Sequence, residues 1–416
     1  MQRELPFPDG FLWGASTSGY QTEGGGDRTD WWEFEEARRA PEPSGVACDS
    51  WNRWPADLDL AAELGLNTYR ISIEWARIEP QSGRFDADAL AHYVDVVRGI
   101  RSRGMSCVVV LWHFTLPEWL GHRSATWRDA GAPAAFERYV RYVCGPLAPY
   151  VDWWATLNEA NTYSSHGWLK GDWPPGRRHD WLGAVRVYEF MARGHHLAYS
   201  AIKAIAGSEA RVGLTHVLPW IHPAEKGSAF SGAVQAYWRW LVADHFLGKV
   251  RGSLDWLGVQ YYYDSPCRTF RLADEDGDVP RTDMGWRIAP EGLYHVVREA
   301  HARYGVPIIV SENGIADASD AQRARFLLDH LAWLHRAIDE GIDVRGYLHW
   351  SMLDNFEWAA GYGPRFGLAE VDYDTLERTL RPSAGTYGGI ASANTIAKGT
   401  GDGLTYADGT PSLAPE

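Results

Sequence analysis

The sequence predicts an α/β fold, a single (β/α)8 TIM barrel with its active site at the C-terminal ends of the strands, on three observations. Short apolar runs rich in Val and Ile alternate eight times with longer amphipathic stretches of helical period, the pattern of a parallel sheet covered by helices. Gly65, Gly104, Gly207 and Gly341 stand where four of the helical stretches stop. An open doubly wound sheet would carry a phosphate loop after an early strand, and none is found: Gly24-Gly25-Gly26 does not match GxGxxG, and no GxxxxGK[ST] occurs.

In chain order, Phe11–Thr17 reads as the first strand and Asp57–Leu64 as its helix. Thr68–Trp75 is the second strand, followed by a helix over Asp86–Arg103. Ser106–Phe114 and Pro133–Leu147 form the third pair, and Val151–Glu159 and the long stretch Trp181–Ala206 the fourth. Arg211–Leu218 is the fifth strand, before a helical region from about Ser228 to Phe246. Asp255–Tyr262 leads to a helix over Pro290–Tyr304, with Pro at its first turn. Ile308–Glu312 leads to Ala321–Glu340, and Val344–Asp354 to a last helix within 383–397. Residues 1–399 are expected to form one catalytic domain. Residues 400–416, rich in Gly, Thr, Asp and Pro, are expected to be a disordered tail.

Two carboxylates stand out on this map. Pro307-Ile-Ile-Val-Ser-Glu-Asn-Gly314 is a buried strand running into a turn, with Glu312 at the junction. Tyr150-Val-Asp-Trp-Trp-Ala-Thr-Leu-Asn-Glu159 ends in the same way, in Asn158 and Glu159. Taken singly, each reads as a surface charge at a strand end. Two carboxylates brought to one end of a barrel are what glycoside hydrolysis requires, one as proton donor and one as nucleophile or base. The other strand ends carry Gln21, Arg70, His113, Gln260, Tyr262, Trp350, Glu357 and Trp358. Amides, imidazole, aromatics and carboxylates converging on one mouth suit a neutral polyhydroxylated ligand, whose hydroxyls need paired donors and acceptors.

Composition narrows the partners. The formal charge of −14, from 40 Lys and Arg against 54 Asp and Glu, argues against nucleic acid or an anionic membrane surface. Twenty-two Trp, 20 Tyr and 13 Phe are many for 416 residues, although most must be core. The four cysteines show no CxxC pairing, the first residues form no signal-like apolar segment, and no run approaches the length of a membrane span. The expectation is a reduced, cytoplasmic protein; whether it forms a homo-oligomer is left open.

Six separate motifs then give a resemblance. Phe-Leu-Trp-Gly-Ala-Ser-Thr-Ser-Gly-Tyr-Gln21-Thr-Glu-Gly, Tyr-Arg70-Ile-Ser-Ile-Glu-Trp, Leu-Trp-His113-Phe-Thr-Leu-Pro, Thr-Leu-Asn158-Glu159, Ser-Glu312-Asn-Gly and Trp350-Ser-Met-Leu-Asp-Asn-Phe-Glu357-Trp358 occur in this order. In these the chain resembles family-1 glycoside hydrolases of the β-glucosidase type, from about Phe7 to Tyr387. The resemblance implies hydrolysis of terminal β-glycosides with retention, without metal or cofactor, on small oligosaccharide or aryl or alkyl β-glycosides. It makes Glu159 the acid/base and Glu312 the nucleophile, with Arg70 and Tyr262 supporting Glu312. Asn158 would hold the sugar 2-hydroxyl, and Gln21, His113, Glu357 and Trp358 the remaining hydroxyls. Trp350 would form the floor, Phe366 would border O6, and Trp286 would stack on the leaving group. Gln260 would lie on the glycone side. Arg70 would favour the charged form of Glu312, and Glu159 would stay protonated.

The chain departs from that family in three places: Gln260 stands where Asn is usual, Phe114 where Trp is usual, and Ala160 where Pro follows the acid/base. It is also short, which implies trimmed loops. A 6-phospho-β-glycosidase is disfavoured, because Glu357 occupies a Ser-like position and its charge would oppose a phosphate. A non-catalytic sugar binder is disfavoured because both carboxylates are present. His195-His196 cannot share a helix face and reads as packing rather than a metal site. Asp274–Asp278 reads as a solvated acidic loop, and Trp31-Trp32, Trp153-Trp154 and Trp238/Trp240 as packing.

Overall fold

The computed structural model describes residues 4–121, 126–224, 229–268, 271–272, 279–397 and 399–400. Eight strands close into a barrel: β1 (Leu12–Ser16), β2 (Thr68–Ser72), β3 (Ser106–Val110), β4 (Trp153–Asn158), β5 (Arg211–Val217), β6 (Trp256–Gln260), β7 (Ile308–Asn313) and β8 (Val344–Trp350). Every neighbouring pair is parallel, and β8 closes on β1 through registers such as Trp350 with Ser16. The helices outside are α1 (Ser50–Glu63), α2 (Ala87–Ser102), α3 (Ala132–Leu147), α4 (Trp181–Ala206), α5 (Ala229–Arg239, continued by a π-helical turn over Trp240–Asp244 and by His245–Val250), α6 (Glu291–Tyr304), α7 (Arg323–Asp339) and α8 (Pro382–Ala393).

The alternation of strand side chains sorts two cores. Val109 and Cys107 of β3 point outward into the large cluster shared with the helices. Val108 and Val110 join Trp153, Ala155, Trp256, Ile309, Leu348 and Leu12 in a separate cluster drawn wholly from barrel strands. Trp153 and Trp256 meet edge to face there, with ring centres 5.7 Å apart. This apolar plug uses mostly the early residues of the strands. The late residues Arg70, Asn158, Thr215, Gln260 and Glu312 are polar, fully or almost fully buried, and form the floor of the opposite end.

Below the plug, the two ends of the described chain are tied together. Leu5–Pro6 pairs antiparallel with Thr395–Ile396, and the Asn394 amide donates to the Phe7 and Pro8 carbonyls while accepting from the Trp13 indole. Above the barrel, Trp220–Pro223, Asp264–Arg268 and Arg271–Leu272 form a small sheet after β5 and β6. Among the described residues no helix is long and apolar enough to cross a membrane.

Some boundaries differ from the sequence expectation for local reasons. Helix α1 begins at Ser50, after the left-handed Asp49, and carries Pro55 inside it, whereas the sequence places its start at Asp57. Strand β3 stops at Val110 rather than Phe114, whose backbone is left-handed at φ 73°. Strand β2 stops at Ser72, and Glu74 then caps a helical turn by accepting from the Ala76 N–H. The acidic segment 274–278 and residues 401–416 lie outside the described residues. His195 and His196 are tied separately: His195 lies between the Thr156 hydroxyl and the Ser253 carbonyl, and His196 between the Ser253 hydroxyl and the Lys249 carbonyl.

Candidate active site

Strand β4 delivers Asn158 and Glu159 to the open end. The Asn158 N–H donates to Trp112 O at 3.0 Å and the Glu159 N–H to Thr215 O at 2.9 Å. These bonds hold Glu159 in the left-handed region (φ 44°, ψ 61°), uncommon for a residue with a Cβ, at the head of the helical turn Ala160–Ser164. Strand β7 delivers Glu312, with Asn313 behind it donating to Tyr261 O and accepting from the Tyr347 hydroxyl. Gly314 follows because nothing larger fits: a Cβ there would lie 1.8 Å from Trp350 O.

The two carboxylates have different surroundings. Arg70 Nη1 donates to Glu312 Oε1 at 2.5 Å, and the Tyr262 hydroxyl donates to Glu312 Oε2 at 2.5 Å. Arg70 Nη2 donates to Asn158 Oδ1 at 2.7 Å. Glu159 makes no ion pair among the described residues, and its favourable contacts are a hydrogen bond from Thr162 and the more distant Arg70 charge. Burial, then the Glu312 charge, push the Glu159 carboxyl up to about 8. Burial also raises Glu312, but Arg70, Tyr262 and Gln260 all pull it back. Arg70 and Tyr262 thus favour the charged form of Glu312, while Glu159 has no comparable support for its charge among the described residues.

Around them lies a cavity of about 340 Å³. It is lined by Gln21, His113, Asn158, Glu159, Tyr262, Trp286, Glu312, Trp350, Glu357, Trp358 and Phe366, all named from the sequence. Arg70 and Gln260 are not among its lining residues; both are fully buried one layer behind, reaching the cavity through Asn158 and Glu312. Trp286, Tyr262 and Phe366 make one aromatic wall, with ring centres 5.6–6.2 Å apart. His113 lies nearly parallel to both Trp350 and Trp358, and burial, then Arg70, hold it neutral, well below the usual histidine range.

Gln21 arrives on the helical turn Gly19–Glu23 after β1. Its Oε1 accepts from Ser18, and its Nε2 lies within hydrogen-bond distance of Asn355, the Phe356 carbonyl and Glu357. Burial and Glu312 raise Glu357 to about 8. The expectation that Glu357 repels a phosphate by its charge is therefore weakened, since a largely protonated carboxyl carries little charge. What remains is the lack of a cation: among the described residues no Lys or Arg lines the cavity. Arg365 pairs with Asp354 at 3.3 Å.

Thr162, His166, Asp172, Trp173, Tyr263 and Met284 also line the cavity and were not singled out by sequence reasoning. Trp173 packs 4.8 Å from the smaller Phe114 ring and 5.5 Å from Trp358. Among the described residues no group of three or more His, Cys, Asp or Glu side chains is placed to hold a metal ion.

A buried carboxyl pair with unequal support for charge, at the mouth of a (β/α)8 barrel and ringed by aromatics and amides, is the equipment of a glycosidase. Comparison with known proteins agrees: the glycosyl hydrolase family 1 model matches residues 3–253 and 238–396. The chain belongs to that family and is a glycoside hydrolase of the β-glucosidase type. It is similar to a β-galactosidase of Sulfolobus acidocaldarius, at 31% identity over 94% of this chain and 96% of the relative. It is also similar to β-glucosidase A of Thermotoga maritima, at 28% identity over 93% of this chain and 98% of the relative. The solved β-glycosidase from Pyrococcus horikoshii superposes with a TM-score of 0.92 at 34% identity, covering 99% of this chain and all of that one.

Proposed function

We propose that residues 1–399 act as one catalytic barrel that hydrolyses terminal, unphosphorylated β-D-glycosides with retention of configuration. Glu312 attacks the anomeric carbon while Glu159 protonates the departing oxygen, giving a covalent glycosyl-Glu312 intermediate. Glu159, now ionised, takes a proton from water as the water attacks that intermediate. The observation that carries the reading is the unequal support of the two carboxylates. Glu312 receives a guanidinium and a phenol hydroxyl at 2.5 Å each, which keep it charged for attack. Glu159 is buried without an ion-pair partner among the described residues and keeps its proton at neutral pH.

Asn158, Gln21, His113, Glu357 and Trp358 receive the glycone hydroxyls above Trp350, with Phe366 beside O6 and Trp286 on the leaving-group side. The substrate is a small oligosaccharide or an aryl or alkyl β-glycoside; the names of the β-glucosidase and β-galactosidase relatives support a β-linked hexose as the glycone. Proton NMR of the first sugar released from 4-nitrophenyl β-glucoside tests the mechanism. The β-anomer is expected first, and initial release of the α-anomer would refute the assignment of Glu312 as nucleophile.

A further inference from the structure

We propose that Thr215 and Gln260 are positioning residues that fix the Asn158 amide so that only its NH2 group faces a bound sugar. The inference rests on the reading of the cavity as a glycoside site. Asn158 lines the cavity; Thr215 and Gln260 do not. All three are buried, Asn158 and Gln260 as the last residues of β4 and β6 and Thr215 in the second half of β5, strands that are consecutive around the barrel.

Asn158 Oδ1 accepts three hydrogen bonds: from Thr215 Oγ1 at 2.6 Å, Arg70 Nη2 at 2.7 Å and Gln260 Nε2 at 2.9 Å. A carbonyl oxygen has two lone pairs, so this acceptor is saturated and turned away from the cavity. The Asn158 NH2 group is left on the cavity side, 3.4 Å from His113 Nε2. An amide is nearly symmetric in shape, and only its neighbours choose its orientation. Turning Asn158 over would set its NH2 against Arg70 Nη2 and Gln260 Nε2, and neither can accept. Turning Gln260 over would set its Oε1 against Asn158 Oδ1. Gln260 keeps the observed orientation although its buried Oε1 then has no hydrogen-bond partner among the described residues.

The arrangement has a consequence for recognition. A hydroxyl beside the reacting carbon meets Asn158 as a donor and has to accept from it. Arg70 joins the same lock to the nucleophile, because its other nitrogen holds Glu312. Loosening the lock therefore weakens an interaction that strengthens as charge develops, and the loss belongs mainly in kcat. Gln260, longer than the Asn usual in the resembling family, reaches Asn158 from β6, and Thr215 supplies the second neutral donor.

The test compares Thr215→Val, Thr215→Ser and Gln260→Met on 4-nitrophenyl β-glucoside and its 2-deoxy counterpart, with spontaneous hydrolysis subtracted. Thr215→Val should lower kcat/KM for the 2-hydroxy substrate roughly tenfold, mostly through kcat, and leave the 2-deoxy substrate within about twofold. Thr215→Ser keeps the hydroxyl and should restore the parent ratio. Gln260→Met also removes the amide that acts on Glu312, so it should slow both substrates but the 2-hydroxy substrate more, compressing the ratio in the same direction, and it decides the matter alone if Thr215→Val does not fold. Equal losses on both substrates, or an unchanged ratio in a folded variant, would overturn the proposal. An unaltered protein inactive on both substrates would instead overturn the glycosidase assignment beneath it.

Discussion

Replacing Tyr262 with Phe removes one hydroxyl and no ring, and it isolates how Glu312 is kept charged. The hydroxyl donates to Glu312 Oε2 at 2.5 Å, with both groups buried. A hydrogen bond to a charged acceptor contributes about 1.5–3 kcal/mol, so kcat/KM near neutral pH should fall roughly 10- to 150-fold. The pH profile carries the sharper signal. The hydroxyl favours the ionised form of Glu312, so its loss raises that group's pKa. Glu312 has to be ionised to attack, and the acid limb of kcat/KM should therefore move to higher pH in Tyr262→Phe. The basic limb belongs to Glu159, which has to be protonated; with its pKa raised to about 8, activity should be lost as pH rises past that value in both proteins. Initial rates on 4-nitrophenyl β-glucoside from pH 4 to about 9 read both limbs. An acid limb that stays in place, or moves down, while activity falls would show that Tyr262 does not act through Glu312.

Glu312→Ala should lose turnover of every β-glycoside, whereas Glu159→Ala should retain glycosylation by aryl glycosides with good leaving groups. Added azide should then give a β-azide from Glu159→Ala and an α-azide from Glu312→Ala; the reverse products, identified by NMR, would exchange the two roles. 4-Nitrophenyl β-glucoside should be preferred over its 6-phosphate by at least about a hundredfold, about 3 kcal/mol, because the phosphate would be desolvated without a cation. Equal kcat/KM for the two would mean that Arg365 leaves Asp354 for the ligand. Asp354→Ala should cost about 3–5 kcal/mol in urea unfolding, since it leaves the buried Arg381 guanidinium with only the more distant, exposed Glu370 carboxylate as an ion-pair partner among the described residues. A loss below about 1 kcal/mol would show that this pair contributes little.

The barrel was legible because most of the strands are short, largely apolar and buried on both faces, so their signal needs no knowledge of their neighbours. Glu159 and Glu312 were legible for a related reason: a charge directly after such a run is conspicuous. Thr215 gave no such signal, because a Thr inside Val-Gly-Leu-Thr-His-Val is an ordinary strand residue until β4 and β6 are placed beside it. Trp173 and His166 lie on the excursion after β4, where one π-helical turn over Ser165–Lys170 decides which side chains face the cavity. The first turns of α1 were not legible, because Pro55 lies within its second turn, where an isolated helix would rarely carry proline.

The tie between Leu5–Pro6 and Thr395–Ile396 makes the path of the backbone almost a ring, as the barrel's hydrogen bonding already is. The join lies on the side of the barrel away from the cavity, where the chain enters β1. A short bridge across it would let the polypeptide be opened elsewhere, for example at Gly104, between α2 and β3 on that same side. A circularly permuted enzyme of that kind keeps the eight strands and the cavity while exchanging the order in which they are synthesised. Conversely, a cargo domain fused near residue 396 would sit behind the catalyst and leave the sugar entrance clear.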